Sequence, residues 1–404
     1  MRMNLVSSPR RLRKGTKNMI MTRCRSNLAS LAVLITLMVA VSAIVGVGGA
    51  YAAGAQGFSS AGAAFGGLAG ADTGGLALPF VRLLDSPGSA LLSRAHQGVF
   101  GSFGGESPQS LAVDQVSGDV YVLDTQGNQL LRFSAGGAPV DFTAGPGAGT
   151  NAIPSIGVQG FPGFDQVAVD GSNGPAKGDI YVTNSGSRQV RVFAASGESL
   201  GTLTGTKTPS GSLGEDCGVA VDQSNGDLYV ADWNNRIWRY SPSGSTVSEA
   251  DYSGGIATTI KPCSLAVANG HLYAKDWQES PTVGFGAVEE YQASAFVSEP
   301  SSPATAAQVA TGAIAVSTDP ANGDLYVDEG NKITVLNSSD TALYSFGTGE
   351  IGTSSAGVAV AAGGDSYVSD STNHQIHIYG PTLEAGSRAN LGSFGSFGGE
   401  SPQS

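Results

Sequence analysis

The chain has 404 residues, of which 59 are glycine and only 13% are charged, a small-residue, turn-rich composition that argues against a helical bundle. Eight of its 21 basic residues and none of its 33 acidic ones fall in residues 1–52, which leaves 13 basic against 33 acidic residues beyond them, a net charge of −20. Such a surface repels phosphate backbones, so nucleic acid is not an expected partner.

In chain order, the basic start leads into the apolar run "LASLAVLITLMVAVSAIVGVGG" from Leu28, and then to "AYA" at Ala50–Ala52. Basic, then apolar, then small-x-small is the pattern of an export signal, so residues 1–52 are expected to be a signal peptide. The apolar run, at about 20 residues, is also long enough to span a bilayer. Left uncleaved it would be an N-terminal membrane anchor, and the only part of the chain to meet a membrane. Either way the bulk of the chain is expected outside the cytoplasm, secreted or at the cell surface. Residues 53–98 open as "AGAQGFSSAGAAFGGLAGADTGG". They can bury too little apolar surface to offset the entropy of ordering, and read as a flexible linker. Local order is expected there at most around Leu76–Leu84 and Ala90–Arg94.

Residues 99–404 carry a repeat. "SLAVDQVSGDVYVLD" begins at Ser110, "QVAVDGSNGPAKGDIYVTN" at Gln166, "GVAVDQSNGDLYVAD" at Gly218, "SLAVANGHLYAKD" at Ser264, "AIAVSTDPANGDLYVDE" at Ala313 and "GVAVAAGGDSYVSD" at Gly357. A tyrosine holds one equivalent place in each: Tyr121, Tyr181, Tyr229, Tyr273, Tyr326 and Tyr367. "VAVD" is a short apolar run suited to a strand covered on both faces. A Ser-Gly, Asn-Gly or Gly-Gly pair before Asp makes a tight hairpin turn. "DLYVAD" is the second strand, "RIWRY" or "QIHIY" the third, and "ESLGTLTG" or "ALYSFG" a weaker fourth. One such unit cannot bury both its faces, but six in a ring can. The expected fold is therefore all-β, a six-bladed β-propeller of four-stranded antiparallel blades.

The eleven residues "FGSFGGESPQS" stand at Phe100–Ser110 and again at Phe394–Ser404, 294 residues apart, or six repeats of 49 on average. The two copies therefore occupy one angular position, a full circle apart. One copy is expected to supply the outer strand of the last blade. If it is the N-terminal copy, the ring is clasped by strands from both ends of the chain. The second copy would then be displaced, or would open a further blade of a longer array.

The stretch "GVAVDQSNGDLYVADWNNRIWRY" at Gly218–Tyr240 resembles the NHL repeat. The likeness covers about Phe100 to Pro381 and is good in units one, three and six. Unit four lacks the first Asp and the Asn-Arg pair, and has "SPTVGFGAVEE" inserted. The resemblance implies a propeller and says little of activity. NHL propellers serve as ligand-binding modules in ubiquitin ligases and in bacterial receptor kinases, and some related propellers are lyases or lactonases. This chain has no RING cysteine array and no kinase motif.

Each candidate site has a structural alternative. "DQVSGD", "DQSNGD" and "DPANGD" resemble calcium loops, but each lies where two strands must turn. Asp124, Asp232 and Asp370 read as residues that fix the second turn. Of His96, His271, His374 and His377, no three converge, which argues against a metal-dependent lyase. No serine or cysteine nucleophile has a nearby base motif. Cys217 and Cys263 stand three residues before Ala220 and Ala266, at equivalent positions on adjacent blades, and are candidates for a disulfide if their Cα atoms come within reach. Trp233 and Trp277 occupy matched turns on those same blades. The face they share also gathers Glu215, Asp216, Lys261 and Lys275, with Gln109 and Asp165 at the channel mouth by register. Exposed aromatics among polar groups suit a sugar ring or a peptide; alternatively each tryptophan only covers its blade edge. The expected function is a non-catalytic binding or scaffold module, without a cofactor, for a carbohydrate, cell-wall or protein ligand at Trp233, Trp277, Asp165, Gln109, Lys261 and Lys275. The alternatives are a hydrolase or lyase with a metal in the central channel, and a structural segment of a longer repeat array.

Overall fold

Asp216–Val221 is buried at every position, as a strand covered on both faces must be. It pairs antiparallel with Leu228–Asp232, with Val219 opposite Val230 and Ala220 opposite Tyr229. In the turn between them Asp222 N–H donates to Asp227 O at 2.9 Å and Ser224 N–H to Asp222 Oδ1 at 2.9 Å. Gly226 sits at φ +85°, a conformation that glycine adopts without strain. Asp114 and Asp319 hold their turns in the same way, accepting from Val116 N–H and Ala321 N–H. The carboxylates of these loops are thus used in fixing hairpins.

The computed structural model describes residues 92–101, 107–158, 165–277, 286–353 and 355–385. Strand β1 (Leu92–Phe100) comes first. The blades follow: β2 (Pro108–Val113), β3 (Val120–Asp124), β4 (Gln129–Phe133) and β5 (Ala152–Pro154) make blade 1. Blade 2 is β6 (Val167–Val169), β7 (Ile180–Asn184), β8 (Gln189–Phe193) and β9 (Ser199–Leu203). Blade 3 is β10 (Asp216–Val221), β11 (Leu228–Asp232), β12 (Arg236–Tyr240) and β13 (Tyr252–Ala257). Blade 4 is β14 (Pro262–Ala268), β15 (His271–Asp276), β16 (Val288–Gln292) and β17 (Ala307–Ala310). Blade 5 is β18 (Ala315–Thr318), β19 (Leu325–Asp328), β20 (Ile333–Leu336) and β21 (Ala342–Phe346). Blade 6 is β22 (Ser355–Val360), β23 (Ser366–Asp370), β24 (Gln375–Ala385) and, as its outer strand, β1. The inner strands β2, β6, β10, β14, β18 and β22 touch in a closed ring. The chain is an all-β, six-bladed propeller of four-stranded antiparallel blades. No helix among the described residues is long and apolar enough to cross a membrane.

The tyrosine row is what joins one blade to the next. All six tyrosines are at most 1% exposed. Tyr121 of blade 1 packs with Val167 and Ile180 of blade 2, Tyr229 of blade 3 with Leu265 and Leu272 of blade 4, and Tyr367 of blade 6 with Leu111 and Val113 of blade 1. Two glutamines add polar staples backward around the ring. Gln115 bonds Val360 O and Ala362 N–H of blade 6, and Gln223 bonds Val169 O and Gly171 N–H of blade 2.

The ring is closed by a strand from the N-terminal side. β1 pairs antiparallel with β24, with Phe100 opposite Ile376 and His96 opposite Tyr379. Of the first "FGSFGGESPQS" copy only Phe100 belongs to this strand, and Pro108–Ser110 already lie in β2. The clasp therefore begins at Leu92, inside the stretch whose composition suggests a linker. Its inward positions explain why: they hold Arg94, Gly98 and Phe100, only one of which is a large apolar residue. The second copy, 394–404, lies outside the described residues, as does the candidate signal segment.

The clasp contains a histidine pair. His377 is 2% exposed, and its Nδ1 lies 3.1 Å from His96 Nε2 on β1 and its Nε2 3.1 Å from Asp370 Oδ2. Burial raises the Asp370 pKa, but hydrogen bonds from His377, Asn373 and the backbone of Gly352 outweigh it and hold the carboxyl at about 2. An ionised Asp370 only accepts, so His377 Nε2 donates, and His377 Nδ1 and His96 Nε2 share one proton. Protonating both rings puts two donors face to face. Burial lowers the His96 pKa from its ordinary 6.5, against the pull of Glu350 and with the help of His377. A histidine lowered in the folded state contributes stability that is complete above 6.5 and is lost as pH falls below it. Between pH 7 and pH 5 the melting temperature of the wild type should therefore fall relative to that of His96→Gln, the buried Asp179, whose pKa burial raises to about 6, acting in the opposite sense in both proteins. Parallel slopes for the two proteins would contradict this role of the pair.

Candidate ligand-binding face

On blades 3 and 4 the turn between the second and third strands begins at an aspartate that is at most 1% exposed. Asp232 accepts from Gly214 N–H, Asn234 N–H and Trp238 Nε1–H. Asp276 accepts from Lys261 N–H at 3.0 Å. Each aspartate is followed by a tryptophan whose backbone is tied to the segment leading into the inner strand. Trp233 N–H donates to Glu215 O and Trp277 N–H to Lys261 O. The repeat thus brings two indoles to matched positions, with ring centroids 6.4 Å apart and planes at 72°, an edge-to-face pair. Both rings are half-buried.

Two lysines attend the pair. Lys261 Nζ lies 4.8 Å from the Trp233 ring centroid, and Lys275 Nζ lies 4.8 Å from that of Trp277, both within cation–π range. Lys261 is half-buried, and Lys275 is 4% exposed. Burial brings the Lys275 pKa down to about 8, against the pull of Asp276. Among the described residues neither ammonium forms an ion pair.

Beneath the indoles a disulfide joins Cys217 on β10 to Cys263 on β14, with Cα atoms 5.0 Å apart. Inner strands of neighbouring blades converge at the channel, which brings equivalent positions within bridging reach. The cross-link fixes blades 3 and 4 to each other below the two turns.

The other residues that register puts at this face are turned inward. Asp165 is 2% exposed and accepts from Ser185 N–H at 2.9 Å. Gln109 is 1% exposed. The inner strands come close together there: a Cβ on Gly357 would come 2.3 Å from Gln109 O. Asp216 is fully buried, and burial raises its pKa well above the ordinary value, helped by Asp165 and Asp232. Among the described residues, no three of His, Cys, Asp or Glu converge on a point that could hold a metal ion.

The channel itself is divided by Gln166, a residue the repeat pattern does not single out. Its Oε1 accepts from Val219 N–H and Leu265 N–H, and its Nε2 donates to Leu265 O, so one side chain of blade 2 ties into blades 3 and 4. On the hairpin side a cavity of about 220 Å³ opens past Ala112, Ala168, Ala220 and Ala266. A second cavity, of about 20 Å³, lies beside Asp165 and Cys217, room for about one water.

No family model and no curated protein matches this chain. Among solved structures, a gluconolactonase from Xanthomonas campestris is similar with a TM-score of 0.48 and 13% identity, over 73% of this chain and 89% of that one. A chain of a nidogen/laminin complex is similar with a TM-score of 0.43 and 17% identity, over 65% of this chain and 95% of that one. Neither likeness bears on activity.

Proposed function

We propose that the chain is an exported binding module, an NHL-like propeller that seats a carbohydrate, cell-wall or protein ligand on the turns of blades 3 and 4. One observation carries this reading. The two half-buried indoles of Trp233 and Trp277 stand side by side on a disulfide-linked pair of blades. Turns held by a rigid scaffold are where binding residues concentrate. The NHL resemblance supports a binding role, and a buried disulfide suits a chain that works outside the cytoplasm. The contact residues are Trp233, Trp277 and Lys261, with Lys275 behind them.

A glycan and peptide array, read beside thermal melts, tests this. Trp233→Ala and Trp277→Ala should each weaken binding of the strongest array ligand by about 1–3 kcal/mol, the scale of lost aromatic contact. Stability should fall by less than the roughly 3–5 kcal/mol of a fully buried aromatic, since both indoles are half-buried. Tyr229→Ala is the control: 1% exposed and packed against Phe296, it should cost about 3 kcal/mol of stability. If both tryptophan variants melt early and still bind, the indoles are packing and the reading fails.

A further inference from the structure

We propose that Asn269 is a site of spontaneous deamidation, where the backbone nitrogen of Gly270 attacks the side-chain amide and the mouth of the central channel gains a carboxylate. The chain has four Asn-Gly pairs, Asn173-Gly174, Asn225-Gly226, Asn269-Gly270 and Asn322-Gly323. Each lies in the turn between the first and second strands of its blade, and all four asparagines are exposed. In each pair the glycine has no side chain to hinder the attack. Neither the dipeptide nor access to water therefore separates the four.

The glycine amides do separate them. Gly226 N–H donates to Asp222 O and Gly323 N–H to Asp319 O, both at 2.8 Å, and Gly174 N–H donates to Ser172 Oγ at 2.9 Å. Those turns are opened by an aspartate, Asp170, Asp222 or Asp319. Blade 4 lacks that aspartate, and its turn is cut to two residues. Ala268 pairs with His271, and between them Asn269 and Gly270 stand at φ +53° and +81°, the tight hairpin that Asn-Gly favours. Among the described residues Gly270 N–H has no acceptor. The side chains differ in the same sense. Asn225 Oδ1 accepts from Asp227 N–H and Asn322 Oδ1 from Asp324 N–H, both at 2.8 Å, and their Nδ2 atoms donate to the same two aspartates. Asn173 Oδ1 accepts from Lys177 Nζ at 3.3 Å. Among the described residues the Asn269 side chain has one bond, from Nδ2 to Asn322 O at 3.3 Å, across to blade 5.

The reaction needs only water. Gly270 N bonds to Asn269 Cγ and gives up its proton, the Cγ–Nδ2 bond breaks, and Nδ2 takes a proton and leaves as ammonia. Water then opens the cyclic imide to aspartate or isoaspartate at position 269. The reacting atoms belong to adjacent residues, so no other group has to bring them together. In the other three pairs the glycine hydrogen bond must first break, which costs free energy and slows the attack. Asn269 lines the channel cavity of about 220 Å³. A carboxylate there only accepts and cannot bond to Asn322 O, so the tie from Asn269 to blade 5 is lost as the charge appears.

The test holds the purified protein at mildly alkaline pH, takes samples over weeks, and reads aspartate and isoaspartate at each Asn-Gly pair by peptide mapping. A parallel sample stays in denaturant, where no hydrogen bond protects any pair. In the folded protein position 269 should convert several-fold faster than positions 173, 225 and 322, while in denaturant the four should convert at similar rates. Asn269→Gln should abolish the first acidic form to appear on anion exchange. Four equal rates in the folded protein, or another pair in the lead, would overturn the inference. So would a lead of position 269 that persists unchanged in denaturant, or no conversion there while the denatured chain converts.

Discussion

A protein that begins at Gly101, and so lacks β1, should lose the single cooperative melt of the ring. Without β1, blade 6 keeps three strands and exposes the edge of β24, and unpaired edges are open to association. The strand also carries a side chain with five hydrogen bonds among the described residues. Arg94 is 8% exposed and donates to Tyr344 Oη at 3.0 Å, Ser366 Oγ at 3.2 Å and Gly380 O at 3.3 Å, as well as to Tyr326 Oη and Gly364 O. Its guanidinium lies 5.4 Å from the Tyr326 ring centroid, so one side chain ties β1 to blades 5 and 6 together. Arg94→Ala should therefore destabilise by about 3–5 kcal/mol, because it strands several buried partners at once. Arg94→Lys should recover little, since an ammonium cannot reproduce the fork of donors. Chemical denaturation measures both. A loss under about 1 kcal/mol for Arg94→Ala would remove Arg94 from the clasp. If deletion of Phe394–Ser404 abolishes the cooperative melt and deletion of β1 does not, the clasp is misassigned.

The second large effect belongs to the disulfide. Cys217 and Cys263 are separated by 46 residues, and closing a loop of that size removes roughly 4 kcal/mol of unfolded-state entropy in the chain-entropy model. The double variant Cys217→Ala, Cys263→Ala should melt correspondingly earlier, and wild type in reductant should approach it. Because the bridge lies under the two tryptophan turns, ligand affinity should fall in the same variant. A melt that ignores both reductant and substitution would show that blades 3 and 4 hold together without the cross-link.

The parts of the fold that repeat are legible in the chain. An apolar strand centred on alanine, a glycine turn and one tyrosine recur in the same order in every unit, and each tyrosine occupies the same space between blades. The clasp does not repeat. Of its inward positions Arg94 is polar and Gly98 has no side chain, so hydrophobic periodicity passes over β1, and the partners of Arg94 and of the half-buried His96 lie more than 200 positions away. The tryptophan pair is legible because both indoles follow an aspartate at equivalent positions. The disulfide is half legible: register shows that Cys217 and Cys263 are equivalent, while the 5.0 Å that lets them bridge depends on how the inner strands converge. Asp165 and Gln109 show the limit of register. It places them at the channel mouth, but does not show that they are buried there, at 2% and 1% exposed.

A crystal structure of the protein with its strongest array ligand tests the ligand face most directly. The predicted result is a ligand in van der Waals contact with Trp233 and Trp277 and within hydrogen-bond reach of Lys261. A ligand seated instead in the channel cavity beside Gln115 and Gln223, with both indoles uncovered, would contradict it.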